Sequence, residues 1–363
     1  MGLKKIIINI ILQFANIFVN LCSIKNNQIA FVSLESSKLE SDLKLIYDEL
    51  SKDKNYILKT VLINYNKKSL LNNFLYMLNC IKQIYVINTS KIVLITDNNY
   101  VISNFKREGV KVVQVWHAAG AIKKFGNAIK REYPIKNYDY VIANSDYWKN
   151  PYQEAFNVSK DNIIVTGMPR VDHLVDNIYL QNTKVKLLEK YPILKDKKVI
   201  LYAPTFRGNI YQGFKSVPFD GKKLLDLLGD EYVLIYKFHP LLLNDEIVND
   251  QRIINLNTED THDLFTVSDI LISDFSSIIF DYAFLNKPMY FFVPDLDEYL
   301  ESLGCFVDYR DIMPGAICFD EKQLALAIIK EKKYDLKNFL QTFFKYQDGN
   351  NTKRVVEFIK KLN

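Results

Sequence analysis

The stretch "DILISDFSSIIFDYAFLNKP", residues 269–288, shows how this chain is built. An apolar run at 270–272 has the length of a buried strand, and a helical pattern later runs to Leu285. Between the two lies the polar segment SDFSS, residues 273–277. A strand that passes directly into a helix does not need two adjacent serines for packing, so this segment is a candidate for function.

Length and composition predict a folded protein of two domains. The chain has 363 residues, of which 48% are hydrophobic and 25% are charged. Its 47 basic and 42 acidic residues leave a net charge of +5. This mild surplus permits attraction to anionic lipids or a polyanionic substrate, but it lacks the concentrated basic stripe of a nucleic-acid-binding protein.

The motifs for metals and common cofactors are missing from the sequence. The four cysteines form no CxxC pair, which predicts neither a zinc site nor a disulfide framework and fits a reducing cytoplasm. No GxxxxGK[ST] or GxGxxG motif occurs, so a P-loop ATPase or a dinucleotide oxidoreductase has no support. Asp295 and Asp297 serve equally well as helix-capping residues, and we expect no metal and no cofactor.

Apolar segments alternate with helical patterns along the chain and predict an α/β fold with mostly parallel sheets. The first series of predicted strands lies at 29–34, 57–63, 91–96, 111–116 and 140–143. After a polar segment at 176–198, a second series lies at 199–203, 232–238, 253–256, 270–273 and 289–293. We therefore predict two doubly wound domains, at 27–180 and 181–363. Ligands of such sheets bind beyond the carboxyl ends of the strands.

Residues 1–26 are predicted to form an amphipathic helix at the membrane interface. Two lysines precede a mostly apolar stretch at 6–22 that carries four amides at helical spacing, namely Asn9, Gln13, Asn16 and Asn20. Four amides would be costly in hydrocarbon, so a spanning helix is disfavoured. A helix lying on the anionic cytoplasmic face of the membrane and a helix packed on the protein's own core are equally favoured.

Polar motifs follow three predicted strands of the second domain. In SDFSS, Ser276 and Ser277 stand at a helix start, where unpaired N–H groups and the helix dipole attract phosphate. The alternative is a serine that merely caps the helix, and the motif taken alone favours this alternative. In KFHP, residues 237–240, Lys237 and His239 project to one face of the strand. In APTFRG, residues 203–208, Arg207 can bind phosphate as a fork, although loop arginines are more often solvated.

The segment WHAAGAIKKFG, residues 116–126, follows a strand of the first domain. His117 at this strand end is a candidate general base, because imidazole titrates near neutral pH. Lys123 and Lys124 follow a turn of small residues. His173 and His262 are interpreted as structural or surface residues.

Taken together, WHAAGAIKKFG, GMPRVD, APTFRG, KFHP and SDILISDFSSIIFDYAFLNKP resemble the CDP-glycerol glycerophosphotransferase family of teichoic-acid synthesis, which includes primases, polymerases and ribitolphosphotransferases. The resemblance implies a GT-B-like fold, in which two Rossmann-type domains face a cleft, on a peripheral membrane protein. It places the catalytic base on His117 and a second essential histidine on His239. The implied substrate-binding set is Lys237, Arg207, Thr205, Ser276, Ser277, Asp274, Gly120, Lys123 and Lys124.

The resulting hypothesis is a polyolphosphotransferase. A hydroxyl of a lipid-linked polyol-phosphate or saccharide acceptor attacks the β-phosphorus of CDP-glycerol or CDP-ribitol, and CMP leaves. Three alternatives stay open at this point: a GT-B nucleotide-sugar glycosyltransferase, a sugar-nucleotide epimerase and a non-catalytic membrane-bound scaffold. The run Ala118-Ala119-Gly120-Ala121 differs from the Gly-Thr-Pro-Leu of familiar polymerases and is closer to the primase and ribitol-type branches.

Overall fold

The computed structural model describes residues 3–64, 70–131, 133–209, 213–239, 242, 247–302, 304–331 and 334–363. The chain divides into two compact units. Unit 1 comprises Met1–Ala119, Phe125–Asp172 and Phe344–Asn363, and unit 2 comprises Gly120–Lys124 and His173–Phe343.

The strands and helices follow one another along the described chain. The strands are β1 (Lys25–Ser33), β2 (Ile57–Leu62), β3 (Ser90–Ile95), β4 (Lys111–Gln114), β5 (Tyr140–Ala143), β6 (Ile163–Val165), β7 (Lys198–Tyr202), β8 (Arg207–Asn209), β9 (Gly213–Lys215), β10 (Tyr232–Tyr236), β11 (Ile253–Asn255), β12 (Ile270–Ser273), β13 (Met289–Phe292) and β14 (Gly315–Cys318). The helices are α1 (Leu3–Asn20), α2 (Ser41–Ser51), α3 (Leu70–Thr89), α4 (Tyr100–Phe105), α5 (Lys149–Phe156), α6 (Asn177–Lys190), α7 (Gly221–Leu228), α8 (Thr261–Val267), α9 (Ile278–Tyr282), α10 (Leu296–Ser302), α11 (Tyr309–Ile312), α12 (Glu321–Lys330), α13 (Leu336–Phe343) and α14 (Asn351–Lys361).

Each unit is built on a parallel sheet of six strands. The order is β2-β1-β3-β4-β5-β6 in unit 1 and β11-β10-β7-β12-β13-β14 in unit 2. Parallel strands are covered on both faces and therefore read as continuous apolar runs. All five residues of β10 are buried, and so are residues 92–95 of β3. The predicted α/β fold with parallel sheets is confirmed.

The strand order reverses once in each sheet. Unit 1 builds outward from β1, first to β2 and then, on the other side, to β3. Unit 2 builds from β7 to β10 and β11, and then from β7 to β12 on the other side. Helices crossing to opposite faces leave a crevice at such a reversal, beyond the carboxyl ends of the two central strands. The positions that follow β1 and β3, and those that follow β7 and β12, are therefore the natural ligand sites.

The two units interleave along the chain. Residues 344–363 fall in unit 1, and residues 120–124 fall in unit 2. Residues 344–363 are held in unit 1 because the Asp172 carboxylate accepts hydrogen bonds from the backbone N–H groups of Asn351 and Thr352 at 2.9 and 2.8 Å. This carboxylate satisfies donors that the first turn of α14 leaves unpaired.

The N-terminal helix α1 packs against α3. Within the described part of the chain, no helix combines the length and the apolar character that crossing a membrane requires.

Candidate active site

In unit 1 the chain turns sharply after β4 and presents His117. Trp116, just before it, has a φ of 67°, a left-handed conformation that is costly for a bulky residue. The turn is held by a 2.8 Å hydrogen bond from the Trp116 N–H to Gln114 Oε1, and the indole stacks on Phe125 with ring centroids 4.5 Å apart. The result is a histidine side chain that is 42% exposed at the end of a buried strand.

The environment of the His117 ring fixes its tautomer. Its Nδ1 lies 2.9 Å from the carbonyl oxygen of Thr96 and 3.3 Å from Glu35 Oε1. The Thr96 carbonyl oxygen can only accept a hydrogen bond, so Nδ1 carries the proton and Nε2 keeps its lone pair. Desolvation is the main cause that lowers the pKa of His117, to about 4. The ring is therefore neutral at pH 7 and able to accept a proton at Nε2.

Arg170 holds the backbone of His117. Its Nη1 donates to the His117 carbonyl oxygen at 2.6 Å, and its Nε donates to Asp42 Oδ2 at 2.6 Å. Arg170 belongs to the GMPRVD segment, which the sequence analysis quoted only for its resemblance. Its positioning role was not predicted, because the contact joins residues 53 positions apart.

Two carboxyl groups near His117 were also missed by the sequence analysis. Glu35 follows β1 and Asp97 follows β3, so both lie at the order reversal of unit 1. The available signal was a polar residue directly beyond a predicted strand, but nothing local shows that these two strands are neighbours.

In unit 2, Asp274 joins the turns that follow β7 and β12. Its Oδ1 accepts from the Thr205 N–H at 2.9 Å, and its Oδ2 accepts from Arg207 Nη1 at 2.8 Å. The carboxylate is 1% exposed. Asp274 therefore fixes the two turns of the APTFRG and SDFSS motifs relative to each other at the order reversal of unit 2.

The guanidinium of Arg207 is held by protein groups. Its Nε and Nη2 donate to Asp295 at 2.6 and 3.0 Å, and it lies over the rings of Phe275 and Tyr299, 5.1 and 4.8 Å from their centroids. Together with Asp274, these contacts occupy most of its five N–H donors. Its predicted role as a phosphate ligand stays a prediction.

The serines of SDFSS are not used as strong caps. Ser277 occupies the N-cap position of α9, yet its side chain makes no capping hydrogen bond. Ser276 Oγ lies 3.5 Å from the Ile278 N–H, at the long limit of a hydrogen bond. Both serines are partly exposed. Neither serine makes a short capping hydrogen bond, and the phosphate cradle stays a prediction.

Lys123 lies with the motifs of unit 2, whereas the sequence analysis grouped it with His117. Its Nζ is 4.8 Å from the centroid of the Phe206 ring, and that ring is 4.9 Å from the ring of His239. Desolvation lowers the pKa of Lys123, and the charge of Asp274 opposes this shift. The segment that begins at Gly120 thus brings a half-buried cation to the same aromatic ring that the histidine of KFHP contacts.

Lys124 and Lys237 are anchored to backbone groups. The Lys124 N–H donates to the Gly304 carbonyl at 3.1 Å. Lys237 Nζ donates to the carbonyl oxygens of Asn257 and Glu259 at 2.8 and 2.6 Å, and desolvation lowers its pKa. Pro240, which completes the KFHP motif, lies outside the described residues.

The other two histidines contact each other in unit 2. His262 Nδ1 lies 3.0 Å from His173 Nε2, and His262 Nε2 lies 3.1 Å from Asp281 Oδ2. This chain of hydrogen bonds links α8 to α9. Across the described ranges, no group of three His, Cys, Asp or Glu side chains is arranged to hold a metal ion.

A cavity of about 750 Å³ opens at the other edge of the unit 2 sheet. Its lining includes Lys198, Tyr232 and Ile270, the first residues of β7, β10 and β12. The cavity lies at the amino ends of these strands, so it is separate from the motifs.

The fold and these positions define a class of protein. It is an α/β protein with two doubly wound parallel sheets, whose charged and polar motifs lie beyond the carboxyl ends of the strands. The profile of the CDP-Glycerol:Poly(glycerophosphate) glycerophosphotransferase family matches residues 13–361. The chain belongs to this family, which confirms the resemblance carried by its motifs.

Similar proteins agree with the family. A teichoic acid poly(ribitol-phosphate) polymerase of Bacillus spizizenii is 36% identical over 96% of this chain, which spans 58% of that relative's length. A teichoic acid ribitol-phosphate primase of the same organism is 30% identical, with coverage of 93% of this chain and 92% of the relative. A structure of the wall teichoic acid polymerase TagF soaked with CDPG has a TM-score of 0.76 at 24% identity and covers 97% of this chain and 95% of that one.

Proposed function

We propose that this protein transfers glycerol phosphate or ribitol phosphate from a CDP-polyol to a hydroxyl of a lipid-linked acceptor and releases CMP, in the synthesis of teichoic acid or a related cell-surface polymer. Family membership supports this reaction class. The relatives are named as primases and polymerases of teichoic acid, and TagF was soaked with CDPG. The observation that carries the proposal is the exposed, neutral imidazole of His117 with its proton fixed on Nδ1.

The chemical step is a displacement at phosphorus. The acceptor oxygen forms a bond to the β-phosphorus, and the bond from this phosphorus to the CMP oxygen breaks, with its electron pair leaving on CMP. The proton of the acceptor hydroxyl passes to His117 Nε2. A positioned general base contributes about 10²–10⁴ in rate. His117 is suited to this task because its ring is neutral at pH 7.

The motifs of unit 2 supply the positive field for the leaving group. Lys123 and His239 both contact the Phe206 ring, and Ser276 and Ser277 stand at the start of α9. Charge that grows on the leaving phosphate is stabilised by groups that are already oriented. Arg207 and Asp274 contribute by holding the two turns in place.

The mechanism requires His117 and the unit 2 group to reach one bound donor. A GT-B-like arrangement of the two Rossmann-type units is therefore part of the proposal. Residue roles for Lys124, Lys237 and Gly120 belong to the same proposal, as positions that line the bound substrates.

The protein is further proposed to bind the anionic cytoplasmic face of the membrane through α1, as a peripheral protein. Asn16 Oδ1 accepts a 2.9 Å hydrogen bond from Asn88, and Asn9 accepts one from Tyr100, so both amides face the protein. Large apolar side chains lie on the exposed side of the helix, namely Ile10, Ile11, Phe14, Ile17, Phe18 and Leu21.

The helix α3, which packs against α1, also exposes large apolar side chains. Phe74, Leu75 and Leu78 of α3 are 53%, 47% and 45% exposed. Exposed apolar side chains on two packed helices suit insertion into the boundary between headgroups and acyl chains. This surface would keep the enzyme beside a lipid-linked acceptor.

The reaction is tested by product release. Purified protein is incubated with a lipid-linked acceptor and, in turn, CDP-glycerol, CDP-ribitol and a panel of UDP-sugars, and CMP and UDP are quantified. We expect CMP from a CDP-polyol, and a loss of about 10²–10⁴ in rate for His117→Ala, because the general base is removed. UDP release without CMP release would indicate a glycosyltransferase instead.

Binding and folding are the controls for this variant. CDP affinity and the thermal unfolding midpoint of His117→Ala should stay close to those of the wild type, because the ring is partly exposed and its backbone is held by Arg170. Wild-type turnover in His117→Ala would contradict the assignment of the base.

A further inference from the structure

Two carboxyl groups meet beside His117 at the order reversal of unit 1. Glu35 follows β1 and Asp97 follows β3, and these strands are hydrogen-bonded neighbours. Side chains beyond the carboxyl ends of such a pair converge on the crevice where ligands bind. Neither residue has a role in the mechanism described above.

The Glu35 carboxyl group lies beside the imidazole of His117. Its Oε1 lies 3.3 Å from His117 Nδ1, next to the Thr96 carbonyl that accepts the Nδ1 proton at 2.9 Å. The Glu35 backbone N–H donates to Ser33 Oγ at 3.2 Å, which ties this loop to the end of β1. A carboxylate at Nδ1 stabilises the positive charge that forms on the ring when Nε2 takes a proton.

Asp97 binds the loop that carries Glu35. Its Oδ2 accepts from the Leu34 N–H at 2.6 Å and from Ser33 Oγ at 3.1 Å, so it holds the residues on both sides of the β1 end. The residue is 5% exposed, and its Oδ1 is buried with no hydrogen-bond partner among the described residues. A second negative charge here opposes ionisation of Glu35.

We propose that Glu35 is a positioning residue for His117: its carboxylate beside Nδ1 stabilises the positive charge that the ring gains when Nε2 takes a proton, and Asp97 holds the loop that carries Glu35. The inference rests on the proposed function, in which His117 is the base of the transfer. In this inference Glu35 and Asp97 tune the basicity of His117, although neither residue contacts a reacting atom.

The pKa values of both carboxyl groups are raised, so both groups gain negative charge as the pH increases. Desolvation raises the pKa of Glu35 to about 7, against the opposing charge of Arg170. Desolvation, followed by the charge of Glu35, raises the pKa of Asp97 to about 7. Below this pH both groups are protonated, and above it they become negative. As two interacting groups they lose their protons in two successive steps that belong to the pair, and the basicity of His117 rises with pH as they ionise.

Other charged and titratable groups face this pair from the surrounding elements. They are Asp42 on α2, Arg170 on the turn at Pro169–Val175, and Arg131, Tyr133 and Tyr138 on the segment before β5. Asp42 is ion-paired with Arg170, and burial raises the pKa values of Tyr133 and Tyr138, which stay neutral near pH 7. The change of charge near pH 7 therefore comes from Glu35 and Asp97.

The first test observes His117 directly. The chain has four histidines, so their ring nitrogens are labelled selectively with ¹⁵N, and the His117 signal is assigned by its loss in His117→Gln. In the wild type, the His117 signal should shift as pH passes through about 7, because the neighbouring carboxyl groups ionise. Glu35→Gln should remove most of this shift, and Asp97→Asn should move it to lower pH.

The second test uses the pH dependence of catalysis. At pH 8 the kcat of Glu35→Gln should fall about 10-fold, because the variant lacks the negative charge at Nδ1. Near pH 5.5 its kcat should match that of the wild type, in which Glu35 is already neutral. KM should change little, because Glu35 does not contact substrate in the proposed mechanism. A purely structural defect would lower activity at both pH values.

Glu40→Gln is the matched control. It makes the same charge change on a nearby exposed glutamate whose side chain makes no capping hydrogen bond to α2. It should keep the wild-type NMR and kinetic profiles. The Glu35 side chain is itself half exposed, so its substitution is compatible with folding.

Failure of this inference and failure of the proposed function are distinguishable. If Glu35→Gln retains the wild-type His117 titration and the wild-type pH profile while CMP is released, the positioning role is overturned and the transfer stands. If the His117 signal responds to Glu35→Gln but no CDP-polyol is consumed, the coupling between the two residues is supported and the proposed transfer fails.

Discussion

At the scale of single residues, the site of unit 1 depends on a buried ion pair. Arg170 donates to the Asp42 carboxylate, which is 0% exposed, and to the carbonyl of His117. The Arg170 N–H also donates to Asp42 at 2.8 Å. Desolvating both charges costs free energy, and these hydrogen bonds offset it. The pair thus fixes the geometry of the turn that carries the proposed base.

Replacing Arg170 should destabilise the protein strongly. Arg170→Met keeps much of the apolar volume but leaves Asp42 as an unpaired buried charge, and we expect the free energy of unfolding to fall by about 3–5 kcal/mol. Urea denaturation at pH 7 measures the change. Arg310→Met is the control, because Arg310 pairs with Asp297 where both side chains are largely exposed, and it should lose no more than about 1 kcal/mol. Equal losses in the two variants would refute the role of the buried pair.

At the scale of elements, α1 shows two different surfaces. Leu12 and Val19 are buried against the protein, whereas Phe14 and Phe18 are 60% and 66% exposed. The sequence analysis left open whether this helix binds membrane or packs on the core of the protein. Packing on the protein does occur, and the exposed apolar side is available for a membrane, so the two alternatives do not exclude each other.

Membrane binding should depend on the exposed aromatic residues of α1. The double variant Phe14→Ser, Phe18→Ser should partition onto anionic vesicles at least about 100-fold less than the wild type, because each buried phenylalanine contributes roughly 1.5–3 kcal/mol. Co-sedimentation with vesicles containing phosphatidylglycerol measures this. The matched control is Gln13→Ser, Asn20→Ser, which changes exposed polar positions of the same helix and should bind normally.

Neutral vesicles separate the contribution of charge from that of apolar burial. Weaker binding to neutral vesicles is expected, because the basic surplus of the chain is attracted to anionic headgroups. Undiminished binding of the double phenylalanine variant to anionic vesicles would contradict the proposed membrane contact of α1.

At the scale of the whole molecule, the chain returns to unit 1 at its end. Val355 and Ile359 of α14 are buried, and the start of this helix is bonded to Asp172, 179 residues earlier. Gly167 lies in the same contact, with a φ of 77°, and a Cβ there would come within 2.1 Å of the Asn351 side chain. Unit 1 therefore completes its packing only when residues from the end of the chain are present.

Because α14 packs in unit 1, a defect in this helix should destabilise unit 1 more than unit 2. Ile359→Ala should cost unit 1 about 2–5 kcal/mol through lost burial and the cavity left behind. Native-state hydrogen exchange should show faster exchange in β1 and β3, with β7 and β10 of unit 2 unchanged. Leu326→Ala is the control, because Leu326 on α12 is 56% exposed and should leave both units protected. Equal loss of protection in both units would contradict the division of the chain.

The local pattern of the sequence predicted the central strands of both sheets but not the short strands β6, β8, β9 and β14, and it identified the family through motifs at the strand ends. Apolar runs such as residues 270–272 predict buried strands because parallel strands are covered on both faces. His117 and the two serines were found in the same way, because a polar residue directly after a buried strand lies at the edge where ligands bind. These are properties of neighbouring residues, so one sequence shows them.

The tertiary structure alone decided which strand ends are neighbours. The meeting of Glu35 with Asp97 follows from the pairing of β1 with β3, and the place of Lys123 in unit 2 follows from the exchange of residues 120–124. The guanidinium of Arg207 is held by Asp295, 88 residues away, which no local pattern reveals. Strand order and segment exchange are set by the packing of the complete chain, whereas periodicity records only whether each residue faces the core.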